Sequence, residues 1–200
     1  MPEETVLQRE FVFSRGRFVM GKDKALSEKE ILELVKKEDR EAYQEIVVRY
    51  MKRAYYITLG FVRNPDDAMD ISQESFVKAF RKIKSFNAQR PFFPWFYKLM
   101  KNLCIDHLKR SSRNKEVPLE EVHVLIEEKE DKELKEVLWR GMEKLPFEQK
   151  EIIILRYFQQ LSYQEIAEMT GKPIGTVMSS LYYAKKRLKE TIGKFLGLEV

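Results

Sequence analysis

Leu161-Ser162-Tyr163-Gln164-Glu165-Ile166-Ala167-Glu168-Met169-Thr170-Gly171-Lys172-Pro173-Ile174-Gly175-Thr176-Val177 packs a helix start, a break and a second helix start into one short run. Ser162 and Glu165 stand three apart, the spacing at which a cap hydroxyl and a third-residue carboxylate satisfy each other's backbone N–H groups. Ile166, Ala167 and Met169 follow as an apolar side. Gly171 ends that helix, because the left-handed conformation of a helix stop is cheapest for glycine. Pro173 opens the next one. Beyond it Ile174, Val177, Leu181, Ala184 and Leu188 recur at steps of three and four. Short helix, glycine turn and longer helix form the helix-turn-helix plan, whose second helix enters a major groove.

Working back towards the N-terminus, Leu145-Pro146 begins a short helix with Ile152, Ile153, Leu155 and Tyr157 as its apolar side. The acid-rich stretch Glu120–Glu136 leads into a helix carrying Leu134, Val137, Leu138 and Met142. Ser111-Ser112-Arg113-Asn114 through Val117-Pro118 is a linker signal. Upstream lies a second helical module. Ser27 and Glu30 form another capping box, followed by Ile31, Leu34 and Val35. Ala42, Ile46, Val47, Tyr50, Met51, Ala54, Ile57, Thr58 and Phe61 mark a long amphipathic helix. Asn64-Pro65 stops it and starts another, with Ala68, Ile71, Ser75, Val77 and Phe80 as its inner line. A last helix runs from about Pro94 to Leu108. The expected fold is all-α with no strand. It has an N-terminal bundle (27–112), a flexible acidic linker (113–133) and a C-terminal helix-turn-helix domain (134–200). Residues 1–26 have no clear period. They read either as a mobile arm or as an upstream extension, since Met20 would serve as an initiator.

Charge follows the same division. The chain has 200 residues and a net charge of +5. Residues 1–112 carry 22 bases and 16 acids, 113–145 carry 7 and 10, and 146–200 carry 8 and 6. Two basic blocks around an acidic one suit two modules that meet one polyanion. The densest block is Lys78–Arg110, with nine Lys or Arg, one acid and seven aromatics. Basic side chains neutralise phosphates and ring faces stack on unpaired bases; the same composition also fits a helix pair with aromatics inside and lysines outside. The segment Phe86–Pro94, with two prolines and apparently exposed aromatics between helical patterns, favours a functional loop.

Catalytic chemistry finds little support. His107 and His123 are the only histidines, and Cys104 the only cysteine. Cys104 and His107 share a helix face, but two ligands do not complete a usual metal site. A single cysteine excludes an internal disulfide and fits a reducing compartment. There is no phosphate-cradling glycine loop and no supported Ser-His or Cys-His pair. The expectation is a cytoplasmic protein that is not an enzyme, with no cofactor, no metal, no small-molecule substrate and no membrane insertion.

Asp67-Ala68-Met69-Asp70-Ile71-Ser72-Gln73-Glu74-Ser75-Phe76 resembles the core-polymerase-binding region of bacterial sigma factors of the extracytoplasmic-function group, within the sigma-70 family. Pro94-Trp95-Phe96-Tyr97-Lys98, Asn102 and Asp106 resemble that group's promoter-melting segment. Leu145-Pro146, Leu155-Arg156-Tyr157 and the helix-turn-helix resemble its C-terminal domain. The resemblance implies a subunit that binds core RNA polymerase, recognises −10 and −35 elements and helps open the DNA, with an anti-sigma factor as a further partner. It implies polymerase contacts at Asp70, Gln73 and Glu74, with Ile71 and Phe76 in the same region but packing inward. It implies −10 contacts among Arg81, Lys82, Phe86, Arg90, Phe92, Phe93, Trp95, Tyr97, Lys98, Lys101, Asn102 and Arg110, though Trp95 and Tyr97 read equally well as core. It implies −35 contacts among Ser162, Pro173, Gly175, Thr176, Met178, Ser179, Tyr182, Tyr183 and Lys186.

The chain departs from the group in places. Met178, Ser180 and Tyr183 stand where basic residues are frequent, which predicts fewer phosphate contacts. Pro94 replaces a common Thr, and Phe92-Phe93 makes the loop more apolar. Two rivals remain. A free-standing helix-turn-helix regulator would share Leu-Ser-x-x-Glu-Ile-Ala and Gly-Thr-Val, but residues 27–112 show no alternating strand–helix pattern. A helical adaptor that binds only protein leaves the basic blocks without a use.

Overall fold

The computed structural model describes residues 26–113, 132–195 and 197, so the expectations for most of the N-terminal extension and linker lie outside the described residues. The described regular elements are all helical. The N-terminal bundle comprises α1 (Glu28–Lys36), α2 (Arg40–Val62), α3 (Pro65–Lys82) and α4 (Phe92–Arg113), with a 3₁₀ turn at Ile83–Ser85. The C-terminal unit comprises α5 (Lys132–Glu143), α6 (Phe147–Ile153) running into a π turn at Ile154–Phe158, α7 (Tyr163–Thr170) and α8 (Ile174–Phe195).

Local chemistry sets most helix ends. Ser27 Oγ accepts the Glu30 N–H, and the Ser27 N–H donates to Glu30 Oε2 at 2.8 Å. Asp39 Oδ1 accepts the Ala42 N–H at 3.0 Å, and Asn64 Oδ1 accepts the Asp67 N–H at 2.9 Å. Each cap satisfies an orphan donor at a helix start, which stabilises by about 1 kcal/mol. Helix α2 stops at Arg63, which takes the left-handed conformation (φ 63°). One turn of chain therefore reverses direction before Pro65. Glu28 ties three helices together: Oε1 accepts the Phe92 N–H at the start of α4 (3.0 Å), and Oε2 accepts the Tyr50 hydroxyl of α2.

The bundle core is aromatic. Phe92 and Phe96 on α4 are fully buried; Phe96 stacks on Phe76 at 4.4 Å and on Phe92 at 5.5 Å. Tyr50 stacks on Phe92 at 5.6 Å. Such pairs add about 0.5–1.5 kcal/mol each beyond the area they bury. Small residues bring α2 and α3 close: Thr58, Ser72 and Ser75 are fully buried. The two serines donate to carbonyls four residues back, Ala68 and Ile71, both at 2.6 Å, so no hydroxyl is stranded.

The helix-turn-helix is as the sequence predicts. Ser162 and Glu165 form the capping box, and Gly171 has φ 74°, with its N–H donating to the Ala167 carbonyl. Val177, Leu181, Ala184 and Leu188 are buried along α8, which packs on α5, α6 and α7.

Several side chains differ from expectation. The buried line on α3 is Ala68, Ile71, Ser72, Ser75, Phe76 and Ala79, and its three–four spacing leaves Val77 outside, about half exposed. Tyr157 is also exposed, because the wide π turn (Gln159 N–H to Ile154 O, 3.2 Å) carries it off the apolar line of α6. Leu138 is exposed beside buried Val137, and Ile174 lies exposed in the first turn of α8. Helix α4 begins at Phe92, two residues before Pro94.

Two outcomes follow from this packing. Phe96→Ala, which removes the centre of the aromatic stack, should lower the unfolding free energy by about 3–5 kcal/mol in a urea titration. Cys104 is buried between helices, and burial pushes its thiol up to about 12. Its thiolate is the reactive form, so at pH 8 a colorimetric thiol reagent should modify it only after denaturant is added.

Candidate nucleic-acid interface

Three exposed surfaces and one buried cluster emerge from the fold. On α3, Asp70, Gln73 and Glu74 are exposed on the face away from α2 and α4, while Ile71 and Phe76 are buried beneath them. Exposed Met69 and Val77 sit one turn to either side of Gln73. The sequence reading missed both as surface residues.

The second surface is basic and runs from the last turn of α3 through the following loop to α4. Arg81, Lys82, Arg90, Lys98, Asn102 and Arg110 are exposed. The loop aromatics are not. Phe86, Phe92 and Phe93 are buried, which corrects the expectation that they are exposed. The physical reason is the start of α4 at Phe92, which points these rings into the bundle. Phe86 meets Phe92 edge-on and Trp95 at 4.7 Å. Phe93 packs against Tyr50 and carries the Arg53 guanidinium over its face at 3.9 Å. Trp95 is half-buried on Phe86 and Phe92. The loop surface is instead polar. Asn87, Gln89 and Arg90 are exposed, and Asn87 Oδ1 accepts the Gln89 N–H, holding the turn.

The third surface is the exposed face of α8. Pro173, Gly175, Thr176, Met178, Ser179, Tyr182, Tyr183 and Lys186 are all exposed, opposite the buried stripe. Ser162 is exposed too, but its hydroxyl is engaged with Glu165. Exposed Lys185, Arg187 and Lys189 supply positive charge beyond Tyr183. The face itself is mainly apolar and hydroxylic, which suits base edges and thymine methyls more than phosphates.

The buried cluster joins the two halves, and no sequence pattern pointed to it. Glu151 on α6 has no exposed surface. Its Oε1 accepts the Tyr97 hydroxyl at 2.8 Å and lies 2.6 Å from Lys101 Nζ, both on α4. Its Oε2 lies 3.7 Å from Lys172 Nζ, in the turn that leads to α8. Tyr97 is therefore a core residue, and burial followed by the neighbouring Glu151 charge holds its hydroxyl protonated far above the usual tyrosine range. Around this cluster Phe61 stacks on Phe147 at 4.8 Å. Ile154 packs against Gly60 so closely that a Cβ there would stand 3.0 Å from it. Arg63 reaches Glu143 Oε1 at 2.5 Å and Glu136 Oε2 at 3.4 Å. Among the described residues no group of three or more His, Cys, Asp or Glu could hold a metal ion.

Comparison with known proteins agrees with this division. Residues 46–114 match the family model "Sigma-70 region 2", and residues 135–188 match "Sigma-70, region 4". RNA polymerase sigma factor SigV of Bacillus subtilis is 35% identical over 140 residues, covering 70% of this chain and 84% of SigV. The ECF RNA polymerase sigma-E factor of Haemophilus influenzae is 29% identical, covering 84% of this chain and 96% of its own. Among solved structures, CnrH in complex with the cytosolic domain of CnrY superposes with a TM-score of 0.65 at 18% identity, over 84% of this chain and 97% of CnrH. The sigma factor RpoE of Bartonella quintana, solved with the anti-sigma factor NepR, gives 0.62 at 22% identity, over 76% and 97%. The exposed helix-turn-helix face, the basic α4 face and these relatives together place the chain in the extracytoplasmic-function group of the sigma-70 family, whose members direct promoter-specific transcription initiation.

Proposed function

We propose that this chain is a dissociable subunit that joins core RNA polymerase, selects promoters by their −35 and −10 elements and helps open the duplex. The observation that carries this reading is the pairing of a region 2 match with a region 4 match in one chain. One match alone would fit a free-standing DNA-binding protein. Two of them, at the two ends of a promoter, fit initiation. The chain itself makes and breaks no bond; binding energy does the work.

In this reading residues 27–112 and 134–200 are the working domains. Asp70, Gln73 and Glu74 form the polymerase-facing surface of α3, now joined by Met69 and Val77. The −10 strand runs along Lys98, Asn102 and Arg110, with Arg81 and Lys82 nearby. A base drawn from the stack costs a few kcal/mol of unstacking, offset by contacts in its pocket. With Phe86, Phe92 and Phe93 inside the bundle, the side chains available to that base are Asn87, Gln89 and Arg90, with Trp95 at the edge. Hydrogen bonds to a base edge, more than ring stacking, then set which base is held. The −35 element meets Thr176, Met178, Ser179, Tyr182, Tyr183 and Lys186. An anti-sigma factor is a further proposed partner, since the Bartonella quintana relative is held by one. The cytoplasm is the proposed location, and no described helix is long and apolar enough to cross a membrane.

Replacing both Gln73 and Glu74 with Ala should weaken binding to core polymerase by about tenfold, a typical loss for central interface residues. Competition against a labelled sigma factor measures it. Both side chains are exposed, so the urea midpoint should not move; unchanged affinity would shift the polymerase-facing surface elsewhere. Lys98→Ala should flatten the dependence of log affinity on log salt, for single-stranded −10 DNA in the holoenzyme, by roughly 0.7. An unaltered slope takes Lys98 off the phosphate path.

A further inference from the structure

The loop proposed to hold the −10 base is short and stiff at its exit. Phe86 and Ala88 are buried and pin its entrance. Within it the Arg90 N–H donates to the Asn87 carbonyl at 3.0 Å, and Asn87 Oδ1 accepts the Gln89 N–H at 3.0 Å. Only Pro91 separates Arg90 from Phe92, the first residue of α4. A proline fixes its own φ at about −65° and keeps the residue before it extended, so this link has little play. A shift of the Phe92 backbone therefore carries Arg90 with it, and whatever holds the Phe92 N–H decides where the loop stands. Pro91 cannot hold it, because a local cap uses a side-chain oxygen and proline has none. The acceptor comes from another helix. Glu28, in the first turn of α1, takes the Phe92 N–H on Oε1 at 3.0 Å and the Tyr50 hydroxyl on Oε2. Burial, then Glu28 itself, push that hydroxyl above the usual tyrosine range, so it stays protonated and donates. Buried Ile31, Leu32 and Val35 fix α1 in the bundle. On the loop's other flank Lys84 pairs with Glu38, just past the end of α1, at 2.5 Å, but both are exposed and such a pair adds little. Glu28 also lies outside residues 46–114, the span that matches region 2.

We propose that Glu28 is a positioning residue for base recognition. By capping α4 from α1 it holds Asn87, Gln89 and Arg90 where they meet the edge of the unpaired base, and so sets how sharply one base is preferred over the others. The inference rests on the promoter reading above. Glu28 itself touches no base in this role. A base edge is told apart by hydrogen bonds that weaken steeply outside about 2.7–3.2 Å and away from a straight angle. Attraction to phosphates is far more tolerant, since it acts over a screening length of about 10 Å at 0.1 M salt. A loop that drifts by about 1 Å therefore still binds DNA but no longer separates the bases. Loss of the cap costs discrimination before it costs affinity. The requirement is reach, not charge. A glutamine at this position offers one oxygen to the Phe92 N–H, and its NH2 group donates to the Tyr50 oxygen. An aspartate keeps the charge but falls short by one methylene, about 1.5 Å.

The test uses holoenzyme assembled from the full chain and bacterial core polymerase. The probes are short fluorescein-labelled single strands covering the −10 element of a promoter that the parent transcribes, with each position carried as A, C, G or T. Anisotropy gives the affinity for each strand, and the readout is the ratio of best to worst base at the most selective position. That ratio does not depend on how much of the protein is folded, so a loss of stability alone leaves it unchanged. Glu28→Ala and Glu28→Asp should each lower it by about fivefold or more, within what one good base contact supplies, while Glu28→Gln stays within about twofold of the parent. Tyr50→Phe keeps the ring on Phe92 and Phe93 and removes only the hydroxyl that steadies Glu28. It should lower the ratio in the same direction, and it carries the test where Glu28→Ala does not fold. Variants that weaken all bases equally make Glu28 a stability residue and overturn the proposal. An unchanged ratio overturns it too, as does Glu28→Gln discriminating no better than Glu28→Ala. Parental holoenzyme with no base preference at any position, or with no defined transcript to supply the probe, removes the promoter reading itself.

Discussion

Helix α4 has to be a core helix and a nucleic-acid helix at once, and most of the structure follows from that constraint. Its inner face carries Phe92, Phe93, Phe96, Tyr97, Met100, Leu103 and Cys104, all buried. Its outer face carries Lys98, Asn102 and Arg110, all exposed. The two faces do not compete because a helix repeats every 3.6 residues, so apolar and charged residues can alternate in sequence and still separate in space. Burying the rings fixes the rotation of α4 about its axis, and that rotation aims the cations. Glu28 fixes the position of its first turn through the Phe92 N–H and Tyr50. Precision in the proposed DNA-facing surface therefore comes from packing on the other side of the same helix.

The same helix explains which features were legible in the sequence. The capping boxes at Ser27 and Ser162, the stop at Gly171 and the buried line of α8 depend on neighbours within one or two turns, so their spacing states them outright. The loop before α4 was harder. Density of aromatics next to lysines is the same whether the rings face in or out, and composition favoured neither. Only the start of the helix at Phe92 decides it, and Glu28, 64 residues away, caps that start. Val77 and Tyr157 misled for a related reason. Both are apolar at near-helical spacing, but one falls just off the inner line of α3 and the other is displaced by a π turn. A π turn leaves no plain mark in a single sequence.

The Glu151 cluster was wholly illegible. Its partners are Tyr97, 54 residues away, Lys101, one turn further along α4, and Lys172, in the turn between α7 and α8. In sequence Glu151 is one acid among many, in the second half of α6 beside Ile152 and Ile153. Only burial distinguishes it. It connects the two halves, since Tyr97 and Lys101 lie on α4 and Lys172 in the turn before α8.

The central claim is that this chain confers promoter specificity. Its most direct test is transcription by bacterial core RNA polymerase on a library of genomic fragments, with and without the purified protein. The account predicts new transcripts with defined start sites, each preceded by two shared elements, one near −10 and one near −35. Stable binding to the core enzyme with no new start site, or sequence-specific DNA binding that needs no polymerase, would contradict it.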